Sequence, residues 1–296
     1  MMLAYDMPLW RPPSEGDNLI IQATIGCSFN GCTFCSMYKT KDYRARPLDA
    51  VFADIDRAAR VWPEAHRVFL ADGDALTLPT ADLLRILDRL GAAFPALQRV
   101  TAYATPINLN HKTVEELRTL KDNRLSLVYL GIESGSDAIL KRIRKGATQK
   151  TMISALERAQ AAGLKVSATV VLGLGGRGLW QEHIDGTAEV VNRVPPTYLS
   201  TLQLHLEDNV VDDFMSRFSR YGKPFQWQDD EEILAEQERL LTALDPPKPV
   251  IFRSNHASNC LPLAGNLPRD RDRLLATVAA ARAGAAPVRP WFMRSL

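Results

Sequence analysis

Only four cysteines occur in the 296 residues, and three of them, Cys27, Cys32 and Cys35, sit on one short stretch. That is too sparse for a disulfide framework and reads instead as metal-binding or catalytic chemistry in a cytoplasmic chain. Charge of one sign is missing too. The 36 Lys+Arg against 34 Asp+Glu leave a formal net charge of +2, which gives no strongly basic face and disfavours nucleic acid as a partner. No apolar run approaches the roughly 18 residues of a membrane helix. The start, MMLAYDMPLWRPPSEGD, shows no basic region ahead of an apolar core, so neither a membrane segment nor a leader is expected. No G-x-G-x-x-G follows the first predicted strand, and the dinucleotide fingerprint is thereby absent. What is present is ordinary apolar material, 46% of the chain, enough for one large α/β domain or two smaller ones.

Short β-branched runs alternate with amphipathic stretches. The pattern predicts strands over residues 19–24, 67–71, 99–104, 125–131, 165–172 and 199–206. Helices are predicted over 48–61, 81–94, 113–122 (with Asn110 as its cap), 138–144, 150–162 and 179–193. Nearly continuous apolar strands between helices signal a parallel sheet. Six such units suit an α/β partial (β/α)6 barrel better than a doubly wound sheet. Beyond Leu206 the pattern breaks into a charged, aromatic stretch over 207–228, a helix over 229–244, a short strand over 250–253 and a last helix near 269–283. The expected organisation is an N-terminal extension (1–18), a barrel core (19–206) and a C-terminal extension (207–296) that packs on the barrel, being too short for a core of its own.

The stretch GCSFNGCTFCSMY, residues 26–38, spaces its cysteines Cys-x4-Cys-x2-Cys directly after the first predicted strand. Three thiolates on one loop grip three irons of a cubane [4Fe–4S] cluster and leave the fourth iron for another ligand. An amine and a carboxylate on one bound molecule can chelate that iron, which is how S-adenosylmethionine (SAM) is held for electron transfer. Loops at the C-terminal ends of parallel strands are where barrel active sites assemble. Three other readings stay open, the plainest being buried cysteines that carry no ligand. Zinc would want a fourth Cys or His, and the nearest, His66 and Cys260, lie far away in sequence. A structural or electron-transfer cluster would need Cys260 to fold back as its fourth ligand.

The loop resembles the signature of the radical SAM superfamily, whose usual form is Cys-x3-Cys-x-aromatic-Cys, with Phe34 at the aromatic position. One extra residue lies between the first two cysteines, within 28–31, where Asn30 and Gly31 both tolerate positive φ. ADGDAL, residues 71–76, resembles the family's Gly-Gly-Glu-like bulge, which implies that Gly73 and Asp74 meet the SAM amino group. An ordinary turn with Asp74 as a helix cap is the plainer reading. YLGIESGSDAILKRIRKG, residues 129–146, is similar to a run in the branch that includes anaerobic coproporphyrinogen dehydrogenases, tRNA methylthiotransferases and the elongator catalytic subunit. It implies that Glu133 accepts hydrogen bonds from the SAM ribose and that Lys145 meets the SAM carboxylate. The plainer reading has Ser136 or Asp137 capping the next helix and Glu133 as a solvated strand end. VVLGLGG, residues 170–176, is similar to the family's turn beside the adenine, and Thr169 matches a polar position that faces the ribose.

By this resemblance the chain is an enzyme that cleaves SAM reductively to a 5′-deoxyadenosyl radical, which abstracts hydrogen from, or adds to, a small-molecule or peptide substrate. An electron donor such as flavodoxin or ferredoxin is implied. The rival from another class is a non-catalytic Fe–S protein for electron transfer or iron sensing, with Cys260 as fourth ligand; a zinc-binding interaction module comes third. One spare cysteine cannot hold a second three-cysteine cluster, and no cobalamin-binding or acetyltransferase domain flanks the core. Substrate contacts are expected in IFRSNHASNCLPLAG, residues 251–265, with Arg253 and His256 as catalytic candidates beside Asn255 and Asn259. The same segment equally reads as a polar turn that satisfies its own backbone. KDYRARP, residues 41–47, lines the pocket or covers the cluster edge, and Cys260 is either a hydrogen-atom donor or a small buried hydrophobe.

Overall fold

The structure, a computed structural model, describes residues 3–294. In chain order its elements are β1 (Leu19–Gln22), β2 (Thr24–Ile25), β3 (Arg44–Ala45), α1 (Leu48–Val61), β4 (Arg67–Ala71), α2 (Thr80–Ala93), β5 (Arg99–Ala104), α3 (Pro106–His111), α4 (Val114–Asp122) and β6 (Leu125–Glu133). There follow α5 (Asp137–Arg142), α6 (Gln149–Ala161), β7 (Lys165–Leu172), α7 (Gly176–Arg193), β8 (Tyr198–Gln203), α8 (Asp208–Ser219), α9 (Asp230–Ala243), β9 (Val250–Ser254), β10 (Leu263–Leu267) and α10 (Arg271–Arg282). The architecture is α/β with mostly parallel strands, as the alternation of the sequence predicts. Among the described residues no helix is long and apolar enough to cross a membrane.

Several boundaries differ from the sequence pattern, each for a local reason. The first predicted strand breaks at Ala23, after which Thr24 and Ile25 pair antiparallel with β3. Asn110 is not the cap of α4. It lies within α3, and Thr113 caps α4 through a reciprocal capping box with Glu116. Pro106 hid α3 from the periodicity, yet it stands in the first turn, where its missing N–H costs nothing. Charged residues hid α8, although Val210, Phe214 and Phe218 recur every four residues and are buried.

The described chain forms two compact units. The first holds residues up to Asn30, Met37–Leu130 and Ala155–Val166. In it β1, β4, β5 and the first part of β6 run parallel, in that order. Val68, Phe69, Leu70 and Ala71 of β4 are all buried, as a central parallel strand requires. Helix α2 buries Leu83, Ile86, Leu87 and Leu90, and α1 buries Val51, Ile55 and Ala58, each a stripe at helical spacing. Every such leucine or isoleucine contributes about 1.5–3 kcal/mol on leaving water. The RPPSE start is explained here. Glu15 is fully buried, accepts the Tyr129 hydroxyl and the Asn18 amide, and lies 3.7 Å from the Arg99 guanidinium.

The second unit holds Gly31–Ser36, Gly131–Ser154 and the chain from Ser167 onward. Strands β7, β8 and β9 run parallel, and β10 returns antiparallel to β9. Period-two alternation divides this sheet. Ala168, Val170, Leu199, Thr201, Phe252 and Ser254 are buried on one face. The other face carries Ser167, Thr169, Tyr198, Ser200, Ile251 and Arg253, all half-buried. Thr169, Ser200 and Arg253 are register partners, so the three stand in one row.

Candidate active site

In the first unit, Cys27 lies just beyond β2, half-exposed, and faces the turn that ends β4. Gly73 of that turn has no room for a side chain: a Cβ would stand 2.8 Å from the Cys27 Cβ and 2.8 Å from the Tyr38 ring. On either side of Gly73 is a buried aspartate. Asp72 accepts the Gly26 N–H at 3.1 Å and the Lys41 ammonium at 2.9 Å. Asp74 accepts the Ser28 N–H at 2.9 Å and the Ser28 hydroxyl. Burial pushes both carboxyls above the usual range, and the bonds from Lys41 and Gly26, or from Ser28, oppose it. Asp74 precedes the short 3-10 turn Ala75–Thr77, but its side chain does not cap it. The extra loop residue is absorbed at Asn30, with φ +29°, whose amide donates to the Tyr38 carbonyl at 2.7 Å; Gly31 does not take a positive φ. The basic stretch after the loop divides its work: Lys41 goes to Asp72, and Arg46 to Asp54 and the Gln22 carbonyl.

In the second unit Cys32 and Cys35 are half-exposed, and Thr33 between them donates its N–H to the Ile143 carbonyl at 2.9 Å. Phe34 packs on the apolar cluster of Ile139, Ile143, Val171, Leu174 and Leu204. Beside this stretch the Lys145 ammonium lies 2.7 Å from Glu133 Oε1, with side chains 11% and 10% exposed. Burial lowers the pKa of Lys145, but Glu133, Cys32 and Cys35 outweigh it, so the net shift is upward and the ammonium stays charged. Gly131 leaves the space for this pair, since a Cβ there would overlap the Glu133 carboxylate and stand 2.7 Å from Lys145 Nζ. Glu133 itself is at φ +62°, a strained setting for a non-glycine residue that marks functional turns more often than structural ones. Capping is done elsewhere. Ser136 caps α5 and Asp137 accepts the Gln149 N–H, which leaves Glu133 outside the cap.

Thr169 stands half-buried in the row with Ser200 and Arg253. Arg253 donates one guanidinium nitrogen to the Phe252 and Gly265 carbonyls, at 2.8 and 3.2 Å. The polar loop after β9 lies at the C-terminal ends of β8 and β9, and much of its polarity is spent on itself. Asn259 is buried and bonds Gln203 N (2.7 Å), Thr201 O (2.8 Å) and Ser254 Oγ (3.0 Å). Arg289 donates to the His256, Ala257 and Asn259 carbonyls. His256 is tied through Nδ1 to Ser258 Oγ at 2.9 Å, and burial with the Arg289 charge lowers its pKa. Cys260 is 1% exposed; burial pushes its thiol up to about 11, and its charged neighbours are Asp230 and Arg294.

One buried pair was invisible in the motifs. His183 of α7 and Glu236 of α9 are fully buried, 3.3 Å apart. His183 bonds Ser134 Oγ (2.8 Å) and the Val171 carbonyl (3.0 Å), while Glu236 accepts the Gly173 N–H (2.8 Å). Burial pushes Glu236 up to about 8 and His183 down to about 4, so both are neutral near pH 6. The signal that could have found it is a glutamate among the apolar positions Ile233, Leu234, Leu240 and Leu241 of α9.

Comparison with known proteins supplies the family. The chain is 22% identical over 207 residues to the heme chaperone HemW of Bacillus subtilis, covering 68% of this chain and 54% of that one. It is 25% identical over 174 residues to the tRNA-2-methylthio-N(6)-dimethylallyladenosine synthase of Alkalilimnicola ehrlichii, covering 56% and 38% respectively. The chain thus spans only about half or less of these relatives. Among solved structures, the radical SAM methyltransferase TsrM of Kitasatospora setae, with cobalamin and a [4Fe–4S] cluster bound, superposes with a TM-score of 0.56 at 15% identity. The match covers 90% of this chain and 61% of that one, and shows a shared fold. The family model described as the radical SAM superfamily matches residues 21–191, more than half the sequence, and the chain belongs to that superfamily of enzymes, whose cofactors are a [4Fe–4S] cluster and SAM.

Proposed function

We propose that Cys27, Cys32 and Cys35 hold a [4Fe–4S] cluster, that SAM binds at its open iron, and that the pair starts radical chemistry on a small-molecule or peptide substrate. The donor set fits the cluster. Three half-exposed thiols on one loop form no disulfide, and a lysine that stays charged sits beside two of them.

The observation that carries the reading is the Glu133–Lys145 pair beside Cys32 and Cys35. An electron carrier has no use for a nearly buried carboxylate and ammonium next to its thiolates, whereas SAM needs both. Lys145 has three N–H groups and spends one on Glu133, leaving others for the SAM carboxylate. Glu133 keeps lone pairs for the ribose hydroxyls, Thr169 stands on the half-exposed face towards which the ribose would turn, and Phe34 and Gly73 shape the loop. When bound, the cluster supplies the electron that splits SAM into methionine and a 5′-deoxyadenosyl radical. Arg253 and His256 are the proposed substrate contacts; His256 Nδ1 accepts the Ser258 N–H, which leaves Nε2–H of the neutral imidazole to donate. The rival carrier would need Cys260, which is 1% exposed and lies beside Asp230 and Arg294. A flavodoxin or ferredoxin is the proposed electron donor, in the cytoplasm; the near-neutral charge speaks against nucleic acid as substrate.

The test is anaerobic reconstitution with SAM and dithionite, which should release 5′-deoxyadenosine. Glu133→Gln should weaken SAM binding roughly tenfold to a hundredfold, the worth of hydrogen bonds to a charged group, with iron content unchanged. Unaltered SAM affinity in this variant would overturn the assignment.

A further inference from the structure

Two tripeptides of the first unit meet residue for residue. Asp72 takes the Gly26 N–H, Gly73 lies against Cys27, and Asp74 takes the Ser28 N–H. The middle of this contact is closed by the Gly73 N–H, which donates to the Gly26 carbonyl at 3.1 Å. Behind it stands a second tier. Lys41 is 2.9 Å from Asp72, Gln22 donates to the same oxygen at 3.4 Å, and Thr24 Oγ1 accepts the Asp72 N–H at 3.2 Å. On the far side the Asn108 side chain bonds Asp74.

This bears directly on Asp74. The superfamily resemblance gives its carboxylate to the SAM ammonium, yet here both oxygens are engaged by Ser28, one by the N–H and one by the hydroxyl. The residue is fully buried, and breaking those bonds to turn outward would strand the Ser28 N–H as well. Two aspartates that fix the residues before and after Cys27 define the backbone on both sides of that thiol. A glycine between them lets the two segments close to contact.

We propose that Asp74, with Asp72, is a positioning residue for Cys27, the first thiolate of the cluster, and is not the partner of the SAM ammonium. This rests on the reading of Cys27 as a cluster ligand. It predicts that charge at position 74 is dispensable while its hydrogen-bonding shape is not. Asparagine can accept the Ser28 N–H through Oδ1 and donate to the Ser28 hydroxyl through Nδ2.

The experiment compares Asp74→Asn, Asp74→Ala, Ser28→Ala and Cys27→Ala in the full chain. Iron per chain is measured after reconstitution, SAM binding by calorimetry, and alkylation rates of Cys27 and Cys35 by mass spectrometry on iron-free protein. Asp74→Asn should keep iron content and SAM affinity within about twofold of the parent, since the neutral bonds replace the charged ones. Asp74→Ala should lose iron and should speed alkylation of Cys27, but not of Cys35, by roughly tenfold as the local clamp opens. Ser28→Ala, which removes the hydroxyl bond and keeps the backbone N–H bond, should shift the Cys27 rate in the same direction by less. A tenfold loss of SAM affinity in Asp74→Asn with full iron would overturn the proposal and return Asp74 to the ammonium. Equal alkylation rates in Asp74→Ala and Ser28→Ala as in the parent would overturn it as well. Full iron in Cys27→Ala would instead sink the three-cysteine reading on which it rests, and so separates the two failures.

Discussion

The parent protein should lose stability between pH 6.5 and 8, and replacing Glu236 by glutamine should abolish that loss. Burial raises Glu236 from an ordinary 4.5 to about 8 and lowers His183 from 6.5 to about 4. From about pH 4.5 to 6.5 the native chain holds a proton on Glu236 that the unfolded chain has released, and lacks one on His183 that the unfolded chain still carries. The two effects oppose each other and nearly cancel. Above pH 6.5 the unfolded histidine is neutral too, and only the Glu236 proton remains in the balance. The native state then binds more protons than the unfolded state, so stability falls as pH rises towards about 8. One proton over this interval, at about 1.4 kcal/mol per pH unit, amounts to about 2 kcal/mol. That is roughly 3 °C in Tm for a chain of this size, at about 2.1 cal/mol/K of unfolding entropy per residue. Thermal unfolding at pH 6.5 and 8.0, in one cluster state and without oxygen, measures it. Glu236→Gln keeps a neutral side chain of the same shape beside the Gly173 N–H and should show little or no alkaline decline. An equal decline in both proteins would mean that Glu236 is already ionised at neutral pH and that the reasoning is wrong.

Two further outcomes test other parts of the molecule. Cys35→Ala should lose the cluster's iron and its visible absorbance, whereas Cys260→Ala should keep both, because three thiolates on the loop suffice for a cluster with one open iron; the reverse pattern would favour the electron-carrier rival. Glu15→Ala removes the acceptor of the Tyr129 hydroxyl and the buried partner of Arg99, and should cost about 2–3 kcal/mol by denaturant unfolding with SAM affinity unchanged.

The parallel core was legible because its strands are short runs rich in β-branched and apolar residues and its helices carry clean stripes. β4, β5 and β7 begin and end where the apolar runs do, and α1 matches residue for residue. What was not legible depended on partners distant in sequence. β10 contains Gly265 and Asn266 and has little strand propensity of its own; it forms because β9 offers an open edge to pair with. α8 reads as a charged linker until Phe214, Phe218 and Phe225 are seen packing edge to face in one cluster. The His256 segment reads as a binding loop by composition. Its density of polar groups is in good part the means by which a turn with no ladder of its own satisfies its backbone, through Asn259 and Arg289.

The same limit governs the site. A motif gives the identity and order of its residues, but not which of two partners each one faces. Glu133 and Lys145 are twelve positions apart, and their ion pair follows from a helix and turn that bring the chain straight back, a pairing the motif itself does not state. Asp72 and Ser28 are as chemically telling as Asp74, yet nothing in a linear reading singles them out, because their meaning lies in contacts across some forty-six positions. Gly73 shows why the match between those segments is tight. The closer two backbones lie, the fewer side chains the contact tolerates, and the more of its specificity passes to N–H groups and carboxylates that sequence patterns do not weigh. A carboxylate next to a closely packed glycine therefore has two uses, holding a ligand or holding the loop that holds the ligand, and burial with both oxygens occupied favours the second.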